Sequence, residues 1–430
     1  MIPNKFWRFL ALALIACAQT LPAQSGTSQG HGDAWSALAR GTDAIFWNPA
    51  NLALHDRREA LVSFSLYGWR MAVGNNALNR KMYEDFFTNP NRVLSREDVE
   101  KLLSCIPDQG IKLHGDNRVS LFSAAFNNFG ISLSSNTRLY SGIPKAMLEI
   151  PLRGLEPQTN RFYLHGEAES AAELTLAYGH TLYRQRTLLI FNRPALDFTE
   201  IIVGASVSVL FGLGSFYTRQ AEMLTSISDA GITVQGEYYG VGAFMKNGHL
   251  PGRGVGLNLG ISGRTPDRYI ISIVLRNVFH HITWDKNAKG YKGSLDTGLP
   301  KFILGSGQLA GLEGDEIADN SETDLASFNS ARPFDVRLGV GRKLKKYDYA
   351  VETGTEDHKF LLAFGGGLHY NIVHLFSAYR YYSAHFFNVG LGLGGRSMYF
   401  DISLGMQDGL TASYYKGLVI ASSLQFGWNY

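Results

Sequence analysis

Runs of strict two-residue alternation recur along most of this chain and constrain it more than any other feature. From Leu418 onward the even positions are Leu418, Ile420, Ser422, Leu424, Phe426, Trp428 and Tyr430, and the odd ones are mainly small or polar. Met398, Phe400, Ile402, Leu404 and Met406 oppose Tyr399, Asp401, Ser403, Gly405 and Gln407. Phe387, Val389, Leu391 and Leu393 oppose Asn388, Gly390, Gly392 and Gly394. The same two-faced pattern fills Val255–Ile261 and Ile201–Phe211. Alternate residues of a strand point to opposite faces, so each run is a strand with one large apolar face. In a soluble sandwich the other face would carry Lys, Glu, Arg and Thr. Here it is mostly Gly, Ser, Asn and Ala, which suits a crowded lumen, while the apolar face suits lipid. Several runs approach the roughly nine to eleven residues that cross a bilayer as tilted strands.

Composition agrees: 18% charged residues, 12% aromatics and 47 Gly favour many strands facing an apolar medium. The expectation is an all-β fold, a transmembrane antiparallel β-barrel of about 14 strands, or sixteen if two further candidates cross. A net charge of +3 without a basic stripe gives no nucleic-acid footprint.

Met1 to about Ala23 reads as a secretory signal peptide. Lys5 and Arg8 precede the apolar Phe9–Ala16, which is too short to span a bilayer. Leu14-Ile15-Ala16-Cys17 also has the look of a lipobox, with Cys17 as the lipid acceptor. The other cysteine, Cys105, follows an apolar helical pattern and is expected to be buried.

Residues 24–58 read as an N-terminal plug, with the barrel over 59–430. Trp35–Leu54 is largely apolar, yet Asn48-Pro49-Ala50 interrupts any regular element. Pro49 has no N–H to donate and pushes Asn48 into an extended conformation. Such a segment needs cover, and the lumen supplies it. Two insertions break the strand pattern. Residues 76–110 are helical, with Ser95-Arg96-Glu97-Asp98 as a capping-box start and Val99, Leu102 and Leu103 as one apolar face. Residues 311–332 carry Glu313, Asp315, Glu316, Asp319, Glu322 and Asp324 with no Lys or Arg among them and read as an acidic loop. Their spacing does not match an EF-hand.

Other motifs carry no chemistry. Gly390–Gly395 is followed by another strand rather than by a helix N-terminus, so it is no phosphate cradle. His280 and His281 are adjacent in a strand and point to opposite faces. Ser377–Tyr382, with Arg380 at its centre, reads as an interfacial aromatic girdle. No Gly-x-Ser-x-Gly elbow or zinc spacing occurs, so catalytic residues, metal ligands and cofactors are none, and the chain does not read as an enzyme.

An export signal, then Gly41-Thr42-Asp43-Ala44-Ile45-Phe46-Trp47-Asn48-Pro49-Ala50-Asn51-Leu52, then a long barrel, resembles the FadL-type outer-membrane transporters and the related PorV-type barrels. The Asn-Pro-Ala motif falls on Asn48, Pro49 and Ala50, and the family usually has Gly where this chain has Asn51. Arg337–Gly341 and Gly390–Gly395 look most like the PorV side. The resemblance implies that the N-terminal segment folds back into the lumen as a hatch set by Asn48, Pro49 and Ala50. Trp35, Phe46 and Trp47 become candidate lumen or ligand contacts. The C-terminal strand with Phe426, Trp428 and Tyr430 serves membrane insertion. The implied setting is the cell outer membrane, and the implied role is passive passage of a hydrophobic small molecule. The alternative is a PorV-like barrel that binds a secretion-system or surface protein.

Overall fold

A computed structural model describes residues 25–54, 62–88, 94–153, 158–190, 193–228, 231–297, 316–395, 397–409 and 413–428. The signal, Cys17 and Tyr430 lie outside them. The chain opens with a short helix α1 (Gly26–Gly30), a second helix α2 (Thr42–Trp47) and a 3-10 turn (Pro49–Ala53). Strand β1 (Val62–Asn75) is followed by helices α3 (Arg80–Phe87) and α4 (Arg96–Ser104), then β2 (Ile111–Phe126) and β3 (Phe129–Ile143). Next come helix α5 (Lys145–Arg153), β4 (Gln158–Tyr163), β5 (His165–Ile190), β6 (Arg193–Ser228), β7 (Gly231–Phe244) and β8 (Gly252–Arg264). β9 (Tyr269–Trp284), β10 (Ala288–Thr297), β11 (Glu316–Asp324), β12 (Phe328–Ala331) and β13 (Asp335–Lys343) follow. The last six are β14 (Tyr347–Glu356), β15 (Lys359–Tyr370), β16 (Val373–Tyr382), β17 (His385–Gly394), β18 (Met398–Gln407) and β19 (Gly417–Trp428).

Antiparallel pairing closes fourteen of these into a barrel: β1, β2, β3, β5, β6, β8, β9 and β13 to β19, with β19 returning to β1. Closure leaves no strand edge in the hydrocarbon, which a spanning sheet requires. The other five strands extend one end, where β4 and β7 pair with the far half of β6, and β10 and β11 continue from β7. The opposite end carries the start of β1, the end of β19 and tight turns such as those between β2 and β3 and between β15 and β16. We term the elaborated end the outer end, after the usual placing of long loops in bacterial barrels. Among the described residues no helix is long and apolar enough to cross a membrane.

The faces divide as the alternation requires. Val389, Leu391, Leu393, Ile402 and Leu404 are exposed outward, whereas Asn388, Asp401 and Ser403 are buried inward. Phe426 stacks on Phe64 across the β1–β19 seam with centroids 5.1 Å apart, and Trp428 closes that seam opposite Val62.

Residues 76–110 contain α3 and α4. Ser95 and Asp98 form a reciprocal capping box, and Val99 and Leu103 pack with Ala77, Ile106 and Ile111 over the rim. Cys105 is exposed at the end of α4, not buried, because the apolar face of that helix falls on Val99, Leu102 and Leu103. The acidic stretch is also not simply a loop. Glu316–Asp324 forms β11 and Phe328–Ala331 forms β12, with Glu322 ion-paired to Lys289 of β10. A strand standing outside the bilayer needs no apolar face. The ladder to β10 and its lysines hold β11, and no alternation marks it.

Candidate functional site

Residues 25–54 are almost wholly buried inside the barrel. The motif predicted to set this plug has a specific seat. Asn48 is extended (φ −159°, ψ 101°), as a residue before proline must be, and Pro49 opens the 3-10 turn. The Asn48 Oδ1 accepts from the Ala50 N–H (3.1 Å). Its Nδ2 donates to Ser36 O (3.2 Å) and to the wall hydroxyl of Ser262 (2.9 Å). Facing the turn, Gly179, Gly204 and Gly260 stand in register across β5, β6 and β8. A Cβ on Gly204 would lie 2.3 Å from Ala50 N, and one on Gly179 would lie 2.9 Å from Ala50 O. Three side-chain-free positions in a row therefore form a socket that lets plug backbone meet wall backbone.

Asn51 does more than fill a glycine's place. Its Nδ2 donates to Ser36 O (2.8 Å) and Ala39 O (3.1 Å), and its Oδ1 accepts from Ser262 (2.5 Å). Three further anchors hold the first part of the plug. The Asp401 carboxylate accepts the N–H groups of Gly26 (2.8 Å) and Thr27 (2.9 Å). His31 contacts Asp348 (2.8 Å), which also holds His369 (2.9 Å). Ser36 N–H donates to Glu352 (2.9 Å). Asp43 accepts from Ser25 (2.7 Å), the Trp35 indole (3.0 Å) and Gln425 (3.2 Å). Burial, aided by the nearby Asp401 charge, pushes the Asp43 carboxyl up to about 6.

The three predicted aromatics take different places. Trp35 packs on His31 (centroids 4.5 Å) within a cluster of Ala34, Leu38, Trp47, Ala350 and Ala363. Trp47 is sandwiched between the Arg276 and Arg337 guanidiniums, 5.3 and 5.6 Å from its centroid. Phe46, which with Trp47 borders a second, much smaller space, lines the main open one.

That space is a chamber of about 110 Å³ on the outer side of the plug. Each neighbouring strand shows the same layering from the outer end inward. Along β5 the order is Ala171, then Glu173 and Thr175 at the chamber, then Gly179 at the plug. Along β6 it is Leu210, Ser208, Gly204. The outermost layer is an apolar cluster around Leu210, Ile282, Trp284 and Phe328. The chamber itself is polar, contrary to the apolar cavity that a hydrophobic ligand leads one to expect. Its charged lining comprises Arg118, Arg138, Arg276 and Arg332 with Glu173, Asp335 and Glu356.

Most of these charges are paired. Arg118 meets Asp116 (3.0 Å), Arg138 meets Asp357 (3.2 Å) and Arg332 meets Glu173 (3.3 Å). Beside them Arg337 holds Glu352 (2.9 Å) and Glu356 (3.0 Å). Arg380 is not an interfacial residue. It is buried and ion-paired to Asp33 of the plug and to Glu356 of the wall. Its aromatic neighbours pointed to an interface, but strand alternation turns Arg380 inward between outward Tyr379 and Tyr381.

The wall beside the chamber is unzipped. β9 pairs with β13 as far as Arg276↔Asp335 and resumes with β12 at His281↔Ala331. Residues 277–280 therefore have no ladder partner on that side. On the other side the β8–β9 register jumps between Leu257↔Phe279 and Leu259↔Leu275. Side-chain amides bridge the interruption: Asn258 Oδ1 accepts from Asn277 N–H (2.8 Å), and Asn277 Nδ2 donates to Pro333 O (3.0 Å). Pro333 has no N–H with which to continue a ladder. His280, His281 and Asp285 do not converge on an ion, and among the described residues no group of three or more His, Cys, Asp or Glu is placed to hold a metal.

No family profile and no curated protein matches this sequence. Solved structures do match the fold. A Pseudomonas aeruginosa FadL homologue aligns over 95% of this chain and 99% of its own, with 12% identity and a TM-score of 0.50. The P. putida toluene transporter TodX aligns over 95% of this chain and 100% of its own, with 9% identity and a TM-score of 0.50. At such identities the likeness is one of fold alone: a closed β-barrel of the same architecture.

Proposed function

We propose that this chain is an outer-membrane channel through which small organic molecules move passively, with residues 25–54 as the hatch. One observation carries the reading: a single chamber touches both the hatch, at Ile45 and Phe46, and the unzipped stretch of wall, at Arg276, Asn277 and His280. A molecule held there has two ways onward, past the hatch or sideways between β9 and β13 into the membrane. The wall route favours molecules with an apolar part, in keeping with the hydrophobic cargo expected of a FadL-like barrel. The similar fold of the toluene transporter TodX supports the same direction. The passage proposed is passive, down the solute's own gradient.

The test is permeation of small organic solutes into proteoliposomes carrying the purified barrel, beside a variant lacking residues 25–54. Slow flux through the intact protein and fast, unselective flux through the truncated one are expected. A barrel that passes none of the solutes in either form refutes the channel. Fractionation of expressing cells, with the protein found in the outer membrane, tests its location.

A further inference from the structure

We infer that the chamber is a binding site for a compact organic carboxylate, held by Arg276 and His280. The inference rests on the channel reading for how the ligand arrives, but the site stands on its own geometry.

The first observation is an unbalanced cation. Of the four arginines lining the chamber, Arg118, Arg138 and Arg332 each have a carboxylate within ion-pair distance, as described above. Arg276 has none among the described residues. Its guanidinium donates to Phe46 O (3.3 Å), stacks on Trp47 and faces the chamber. Glu356 and Glu352 act on Arg276 only from beyond ion-pair distance, and a carboxylate arriving in contact supplies the planar, two-pronged partner that arginine matches.

The second observation is independent. His280 is only 8% exposed, lines the chamber, and neither ring nitrogen has a partner. The Nε of Arg332 in the same lining also lacks a hydrogen-bond partner, whereas that of Arg138 has Asp116 at 3.6 Å. Buried polar groups in folded proteins are normally satisfied. The lining also leaves two acceptors unmet, Asn136 Oδ1 and Asp335 Oδ1, so the acceptor end of an occupant belongs at Arg276, His280 and Arg332. The protonated nitrogen of His280 and the Arg276 fork supply donors from one strand, β9, on either side of its register jump.

Size and the remaining lining set the rest of the molecule. A cavity of about 150 Å³ accommodates benzene, so 110 Å³ suits a carboxylate head with a short chain rather than a ring or a long acyl chain. Ile45, Phe46 and Leu257 give that apolar part a surface.

Propionate and its neutral isostere propionamide are the probes. Binding is measured by titration calorimetry on the full-length barrel in detergent, and flux in proteoliposomes. Wild-type protein is expected to bind propionate at least tenfold more tightly than propionamide. Arg276→Gln should abolish that preference, and Arg276→Lys should restore part of it. Because Arg276 also braces the plug, His280→Phe provides a second variant that keeps the ring's bulk. It should weaken propionate severalfold and change propionamide less. Equal binding of the two probes, or an unchanged preference in both Arg276→Gln and His280→Phe, overturns the site. Equal flux of both probes with equal binding leaves the channel standing and removes the site. Selective propionate binding without flux of either probe keeps the site and removes the channel.

Discussion

Replacing Gly204 by alanine should unseat the hatch. The new Cβ would lie 2.3 Å from Ala50 N and 2.4 Å from the Pro49 carbonyl carbon, whereas ordinary contact begins at 3.4 Å. Plug and wall must therefore separate by about 1 Å. Both atoms belong to backbone, so no side chain can rotate away. Overpacking of this kind costs about 1–3 kcal/mol, equivalent to roughly a 5- to 150-fold shift from seated to unseated hatch. A retreat of that size also strains the 2.9 Å bond from Asn48 to Ser262. Two measurements report the shift. Conductance in planar bilayers should show more frequent openings. Trypsin should cut after Arg40, a half-buried plug residue, much faster than in the wild type. Gly256→Ala is the control, since its Cβ would meet nothing closer than Ser208 Cβ at 3.5 Å. If Gly204→Ala matches Gly256→Ala in both assays, the glycine socket does not seat the plug.

Three other perturbations test the same anchors. Asn51→Gly removes the two bonds donated by Asn51 and the one it accepts. It should lower the free energy of plug release, read from urea titration, by about 1–3 kcal/mol. Arg380→Leu strips one cation from both Asp33 and Glu356, which keep Arg70 and Arg337 respectively, so unfolding monitored by heat-shifted gel mobility should ease by ~3 kcal/mol. Because the docked plug holds the Asp43 carboxyl at about 6 against an ordinary 3.8, docking takes up a proton. That contribution is complete below about pH 4 and is lost as pH rises through 6. Hatch opening should thus increase between about pH 4 and 6, and Asp43→Asn should flatten this rise. A pH-independent wild type would contradict the assignment.

Period-two alternation with a Gly/Ser/Asn inner face determined by itself that this chain would be a closed membrane barrel, because no other arrangement buries those edges and exposes that apolar face to lipid. The break at Asn48-Pro49-Ala50 likewise marked a segment unfit for the wall. Tertiary structure alone decided the rest. Gly179, Gly204 and Gly260 lie far apart in sequence, and only strand register lines them up opposite Pro49 and Ala50. The polar chamber was hidden because Arg118, Arg138 and Arg276 come from three strands and Arg332 from the connection between β12 and β13, each looking like an isolated charge. His280 was read correctly as turned away from His281, but its unmet nitrogens appear only once the neighbouring strands enclose it. Local periodicity reports which face a residue occupies. Which residues share that face across the lumen is set by register and closure, and the chemistry of this barrel lies in that second relation.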